Sequence, residues 1–275
     1  MKKRLFSIIS LTLMFLILFS NIAFAQEIER YESGGPTHSH QIFCAQAIEI
    51  LINDYGVEKI KPILRGERTI VASADLPDVD EKDYCYAYHF YNPYTNKNYW
   101  PISSKIQNIT GLTQFNKHLN NAVNYYSTNK EYALTELGRA IHYFEDVNEP
   151  HHAANLTALN STHAFYEKYV DHRNADFLVC HSTKYDDFKD MTFMEYCNTV
   201  FIDSAKLSYT YKDIVNNPFK YSKDDGWYEA ASITLDNLQE NLASIILRFY
   251  EEVGEIDFSP TSSITYYLTS NSGAL

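Results

Sequence analysis

Residues 140–155 read AIHYFEDVNEPHHAAN, three histidines and three carboxylates within sixteen residues. The pattern from Lys130 to Asp146 is helical, and Pro150 must end that helix because a proline ring has no N–H and clashes with the preceding turn. On such a helix His142 and Asp146, four residues apart, stack on one face about 5 to 6 Å from each other. An imidazole nitrogen and a carboxylate oxygen then converge on one cation. His163 and Glu167 repeat the spacing in the next helical stretch, Thr162 to Asp171, and His152 lies between the pairs. A single His–acid pair is most often a solvated feature of a helix surface. Two pairs within 26 residues, with a histidine between them, form a constellation.

Working outward, every patterned stretch is helical. Thr37 to Asn53 places Phe43, Ala47, Ile50 and Leu51 on one face, with Thr37 or Ser39 as the cap. Helical spacing recurs from about Leu112 to Tyr126 and around Asp190 to Ser208. Ala231, Leu235, Leu238, Leu242, Ile245 and Phe249 then repeat at three- and four-residue steps. No alternating runs joined by hairpin turns occur before Phe258. The expectation is one all-α domain of about seven or more helices over residues 26–258, with a polar tail over 259–275. Periodicity fails from Val57 to Pro101, which reads as a long functional loop. That loop contributes Asp75 and His89 to the candidate site, and the first helix contributes His40. Five histidines and three carboxylates suit more than one zinc, without the thiolates of a structural zinc knuckle. His38, His118, His172 and His181 read as surface residues, and His151 as pointing away from the site.

Lys2, Lys3 and Arg4 precede an apolar run from Leu5 to about Phe19, and Ala23-Phe24-Ala25 supplies a small-x-small cleavage pattern. The run is shorter than the roughly 20 residues that span a bilayer, so residues 1–25 read as an export signal and the mature protein as secreted. Removing three positive charges would take the net charge from −12 to −15, which argues against coating nucleic acid or anionic lipid. In an oxidising compartment Cys44, Cys85, Cys180 and Cys197 permit up to two disulfides, with Cys180 and Cys197 the expected pair.

HYFEDVNEPHHAAN resembles the signature of bacterial zinc-dependent phospholipases C, an all-helical, trinuclear-zinc family of secreted enzymes. SHQIFCAQAIEIL from Ser39 resembles the family's first helix, HFYNPYT the segment around His89, and THAFYEKYVD from Thr162 the last ligand pair. The resemblance covers the whole expected mature domain and implies about three Zn2+ per chain. It assigns one zinc to Asp75, His89, His142 and Asp146, and a second to His152, His163 and Glu167. A third falls to His40, to Asp146 as a bridge, and to the amine and carbonyl of the mature N-terminal residue, here Gln26. Asp75 would be both ligand and proton acceptor.

Three residues depart from the family pattern. Glu145 stands where Gly or Thr is usual, Gln26 where the family has Trp, and Leu76 where choline-preferring members carry an aromatic. Tyr86 keeps the aromatic position three residues before His89. No second domain is expected after the last helix, so the membrane-binding β-sandwich of toxin members should be absent. The implied activity is hydrolysis of phospholipids to diacylglycerol and a phosphorylated headgroup, with phospholipid as the partner and neither nucleic acid nor a stable protein partner expected. The related zinc-dependent single-strand nucleases are the alternative, against which Asn148 and the HAAN ending weigh. A protein in which zinc only stabilises the fold is a third reading, set against a constellation that recruits a long loop.

Overall fold

A computed structural model of the protein describes residues 39–186, 190–220 and 226–257. The expected leader over 1–25, Gln26, the candidate cap Thr37 and the tail over 259–275 lie outside the described residues. Nine helices of five residues or more occur among those described: α1 Ser39–Tyr55, α2 Lys61–Ser73, α3 Leu76–Asp80, α4 Gly111–Tyr125, α5 Lys130–Val147, α6 Pro150–Ala154, α7 His163–Asp171, α8 Phe193–Thr210 and α9 Trp227–Glu252. No β-strand occurs among the described residues. The all-α expectation holds.

Local chemistry sets the helix ends. Asn129 caps α5, its side chain accepting from the Tyr132 N–H. Thr110 and Thr192 cap α4 and α8, each accepting from the N–H of the third helical residue and donating its own N–H to that residue's side chain. Glu149 accepts from the His152 N–H and starts α6, where Pro150 occupies the first turn without losing a needed donor. Asn155, at φ 59°, closes that helix in the left-handed conformation that asparagine tolerates.

α5 is buried over most of its length and is the spine of the molecule. It pairs with α4 in an antiparallel hairpin and packs on α2, while α9 lies against α1 and α8. All six residues of the α9 stripe, Ala231 to Phe249, are buried, as are Phe43, Ala47, Ile50 and Leu51 of α1. Each large aliphatic or aromatic side chain buried this way contributes about 1.5 to 3 kcal/mol.

The expected loop from Val57 to Pro101 is in part helical. Pro62 sits in the first turn of α2, and Ile63, Gly66, Ile70 and Ser73 form its buried stripe. The stripe holds only two large apolar residues, but the opposite face is strongly polar, so α2 is amphipathic and its helical spacing is present in the sequence. Close approach replaces bulk there. A Cβ on Gly138 of α5 would lie 2.4 Å from the Ile70 carbonyl oxygen, and one on Gly66 would lie 2.5 Å from the Tyr250 hydroxyl. The expected Cys180–Cys197 disulfide is not formed: Cys197 is buried in the core and Cys180 is exposed. Cys197 on α8 is fully buried in the hydrophobic core, where it packs as a small apolar group.

Candidate metal centre

α5 carries His142 and Asp146 to the centre of the fold, and α1, α3, α6, α7 and the segment around His89 bring the other groups to them. Three clusters have their ligand-type atoms within 4.8 Å of one another: His40, His142 and Asp146; Asp78, His89 and His142; and Glu149, His152 and His163. Asp78, Tyr86, His89, Phe90, Asp146, His152 and Glu167 line a single cleft. The sequence-expected residues His40, His89, His142, Asp146, His152, His163 and Glu167 are all within this assembly, and all are buried.

Asp146 stands between the clusters. Its Oδ2 lies 2.9 Å from His89 Nδ1 and 3.3 Å from His142 Nε2, and its Oδ1 lies 3.9 Å from His40 Nε2 and 4.0 Å from His152 Nδ1. Such a carboxylate can serve two cations at once. At the other end His163 Nε2 and Glu167 Oε1 are 2.7 Å apart, and the same oxygen is 3.5 Å from His152 Nε2.

Asp75 does not join this assembly where it was expected. Its Oδ2 accepts a 2.7 Å hydrogen bond from Gln41 Nε2, while Asp78 Oδ1 lies 3.6 Å from His89 Nδ1 and 3.5 Å from His142 Nε2. The cause is α3. Asp75 is the residue before that helix and Asp78 lies within its first turn, three residues on and rotated toward α5. Reading the segment as a loop concealed this, and the Pro77 in the first turn was the available signal.

The ring orientations are fixed from outside. His142 Nδ1 donates to the Ala74 carbonyl at 2.8 Å, His89 Nε2 to the Glu81 carbonyl at 3.2 Å, and His152 Nδ1 to the His89 carbonyl at 3.3 Å. A carbonyl can only accept, so the inner nitrogen of each neutral ring carries the lone pair. His40 Nδ1 lies 2.6 Å from Glu145 Oε2.

Electrostatics favour a cation here. Burial opposes charge on His142, yet Asp146 and Asp78 hold its imidazole well above the ordinary histidine range. Burial likewise opposes charge on His152, and Asp146 foremost pushes it up to about 10. Asp146 is held well below the carboxylate range, against burial, by His142, His152 and His89. Buried His163 Nδ1 and Glu167 Oε2 make no hydrogen bond among the described residues. Nitrogen and oxygen donors with unused capacity in a negative, buried setting fit zinc. Of the two acids beside His163, Glu167 is the better ligand. Both oxygens of Glu149 are engaged, one with His151 Nδ1 at 2.6 Å and one with the His152 N–H at 2.9 Å.

Two histidines expected outside the site are buried instead. His151 stacks on His163, ring centroids 5.0 Å apart and planes within 3°. His118 lies between Glu136 Oε2 at 2.9 Å and Glu81 Oε2 at 3.2 Å. The wall of the cleft is equally specific. Tyr84, Cys85 and Tyr86 all have left-handed φ, 52°, 57° and 63°, which costs on the order of 1 kcal/mol or more per residue. Tyr99 donates its hydroxyl to the Cys85 carbonyl and holds this turn, which sets the Tyr86 ring against His89 at 5.5 Å.

With this geometry in hand, comparison with known proteins is specific. Residues 39–211 match the family model for "Zinc dependent phospholipase C". A phospholipase C of Clostridium perfringens (strain 13 / Type A) is 30% identical over 240 residues, covering 80% of this chain and 60% of that protein. A phospholipase C of Clostridium novyi is 28% identical over 254 residues, covering 82% and 62%. The chain therefore spans about three fifths of the length of these relatives. The solved structure of an alpha toxin from Clostridium absonum superposes with a TM-score of 0.71 at 25% identity, covering 83% of this chain and 67% of that one.

Proposed function

Because the chain belongs to the zinc-dependent phospholipase C family, we propose that it is a secreted hydrolase that cleaves the glycerol-side phosphodiester of phospholipids, releasing diacylglycerol and a phosphorylated headgroup. The observation that carries this reading is the convergence of five buried histidines with Asp78, Asp146 and Glu167, of which His89, His152 and the three acids line one cleft. Asp78, His89, His142 and Asp146 would hold one zinc, and His152, His163 and Glu167 a second. His40 and Asp146 would hold a third together with the main chain of Gln26. Asp78 takes the place first given to Asp75, both as ligand and as the carboxylate positioned to accept a proton. Zinc bound here would neutralise phosphate charge and lower the pKa of a water ligand.

The chain's own groups do the rest. Asp146 offers one oxygen to each side, so the clusters it joins keep a fixed separation. Outer bonds to Ala74, Glu81 and His89 carbonyls hold three rings in place, which limits reorganisation during the reaction. Tyr86 and Phe90 give the cleft an apolar wall that excludes water from one side of the substrate. Purified protein lacking residues 1–25 should hydrolyse phosphatidylcholine or phosphatidylethanolamine, lose that activity on chelation and regain it with zinc. Degradation of single-stranded DNA with no phospholipid hydrolysis would replace this reading with the nuclease, and zinc release with neither activity would leave a structural role.

A further inference from the structure

Four of the clustered histidines have an outer nitrogen opposite an oxygen, and for His142, His89 and His152 that oxygen is a main-chain carbonyl that no substitution removes. His40 is different. Its Nδ1 meets the carboxylate of Glu145 at 2.6 Å, and Nε2 faces Asp146 Oδ1 and Asp78 Oδ2, each at 3.9 Å. Glu145 belongs to none of the three converging clusters and so reaches the centre through the His40 ring. It is 3% exposed, and its Oε1 makes no hydrogen bond among the described residues. A buried carboxylate with one oxygen unused costs desolvation that a packing role alone would not repay.

We propose that Glu145 is a positioning residue that holds His40 in the tautomer presenting Nε2 to the metal centre; the inference rests on the reading of His40 as a zinc ligand. A carboxylate accepting from Nδ1–H leaves Nε2 with the lone pair and fixes the ring's rotation. Deleting the acceptor frees both, and the metal position that depends on His40 weakens, while the rings of His89, His142 and His152 keep their own carbonyl braces and His163 does not touch Glu145.

The test is a zinc titration against a competing chromophoric chelator, with protein that is folded and reconstituted with zinc. Glu145→Leu removes the acceptor at similar volume, and Glu145→Gln keeps an amide oxygen for Nδ1–H. We expect Glu145→Leu to bind one equivalent about 10- to 100-fold more weakly while the others are unchanged. Glu145→Gln should recover most of that affinity; the zinc-free melting temperature of Glu145→Leu should fall, because His40 Nδ1 loses its buried acceptor, while the affinity of the other equivalents stays at the wild-type value. His40→Ala is the reference arm. If His40→Ala keeps every equivalent, the ligand reading fails. If His40→Ala loses one equivalent while Glu145→Leu keeps wild-type affinity, the positioning role is overturned. Equal weakening by Gln and Leu also overturns it, since only Gln can accept the hydrogen bond.

Discussion

The two ends of the candidate metal centre are built by different means. The His152–His163–Glu167 end comes from α6 and α7, neighbours in the chain, and its closest pair is an i, i+4 contact within one helix. The Asp78–His89–His142 end joins groups from α3, the segment around His89 and α5, up to 64 positions apart in the chain. Local geometry pairs His163 with Glu167, and the His89 carbonyl orients His152. The second end needs a brace, and Glu81 supplies it: its carboxylate receives the Tyr143 hydroxyl at 2.9 Å and Arg139 Nη1 at 2.6 Å and faces His118, while its carbonyl holds His89. Where the candidate ligands are far apart in sequence, fold stability and site geometry therefore depend on the same residues.

The strongest way to break this comparison is at the acids. Asp78→Asn should lower phospholipid hydrolysis by two orders of magnitude or more, as should Glu167→Gln, because each opens a ligand position. Asp75→Asn keeps an acceptor for Gln41 and should cost at most a few-fold. Rates for the three variants, beside their zinc contents, decide it; a larger loss at Asp75 than at Asp78 would return the ligand role to Asp75.

The brace gives the next largest effect. His118→Ala leaves buried Glu136 and half-shielded Glu81 without their imidazolium and should destabilise the protein by about 3 kcal/mol in denaturant unfolding. The pH dependence has a definite sign. Burial opposes charge on His118, but Glu136 and Glu81 raise its pKa, so its contribution is complete below the unfolded histidine value of about 6.5 and fades as pH rises through the raised folded value. Burial would raise Glu81 and Glu136, but His118 foremost lowers both, so their contribution is complete above the unfolded value of about 4.3 and fades as pH falls through the folded values. The wild type should exceed His118→Ala most between about pH 4.3 and 6.5. A difference that grows above that window would contradict the ion-paired brace.

Gly138→Ala probes how α2 delivers the chain into α3. The added Cβ meets the Ile70 carbonyl and Ser73, both held by helical backbone, so the helices must separate at a cost of about 1 to 3 kcal/mol. Since α3 follows α2 directly, the zinc bound through Asp78 should weaken while that at His163 and Glu167 does not; thermal melts and a zinc titration read the two effects. The smallest effect is at the cap of α4. Thr110→Ala should cost about 1 kcal/mol and leave zinc content unchanged.

Much of the fold was legible because α5, α8 and α9 carry dense apolar stripes, whose burial is a local property of helical spacing. α2 is as amphipathic as these, but its buried stripe is sparse, with Gly66 and Ser73 between and beyond Ile63 and Ile70, and the segment reads as loop instead. His118 shows the same limit. Its isolated position in the sequence suggests a solvated surface, and only the approach of α3 and α5 to α4 surrounds it with two acids.

By itself the sequence determined that the molecule is helical and that His142, Asp146, His163 and Glu167 face in pairs, because 3.6 residues per turn places i and i+4 together whatever else the chain does. Tertiary structure alone decided that Asp78 rather than Asp75 meets His89 and His142, that Asp146 turns one oxygen to each side, and that Glu145 backs His40. These depend on helix directions and on distances between residues remote in the chain, and a repeat along one helix carries no information about either.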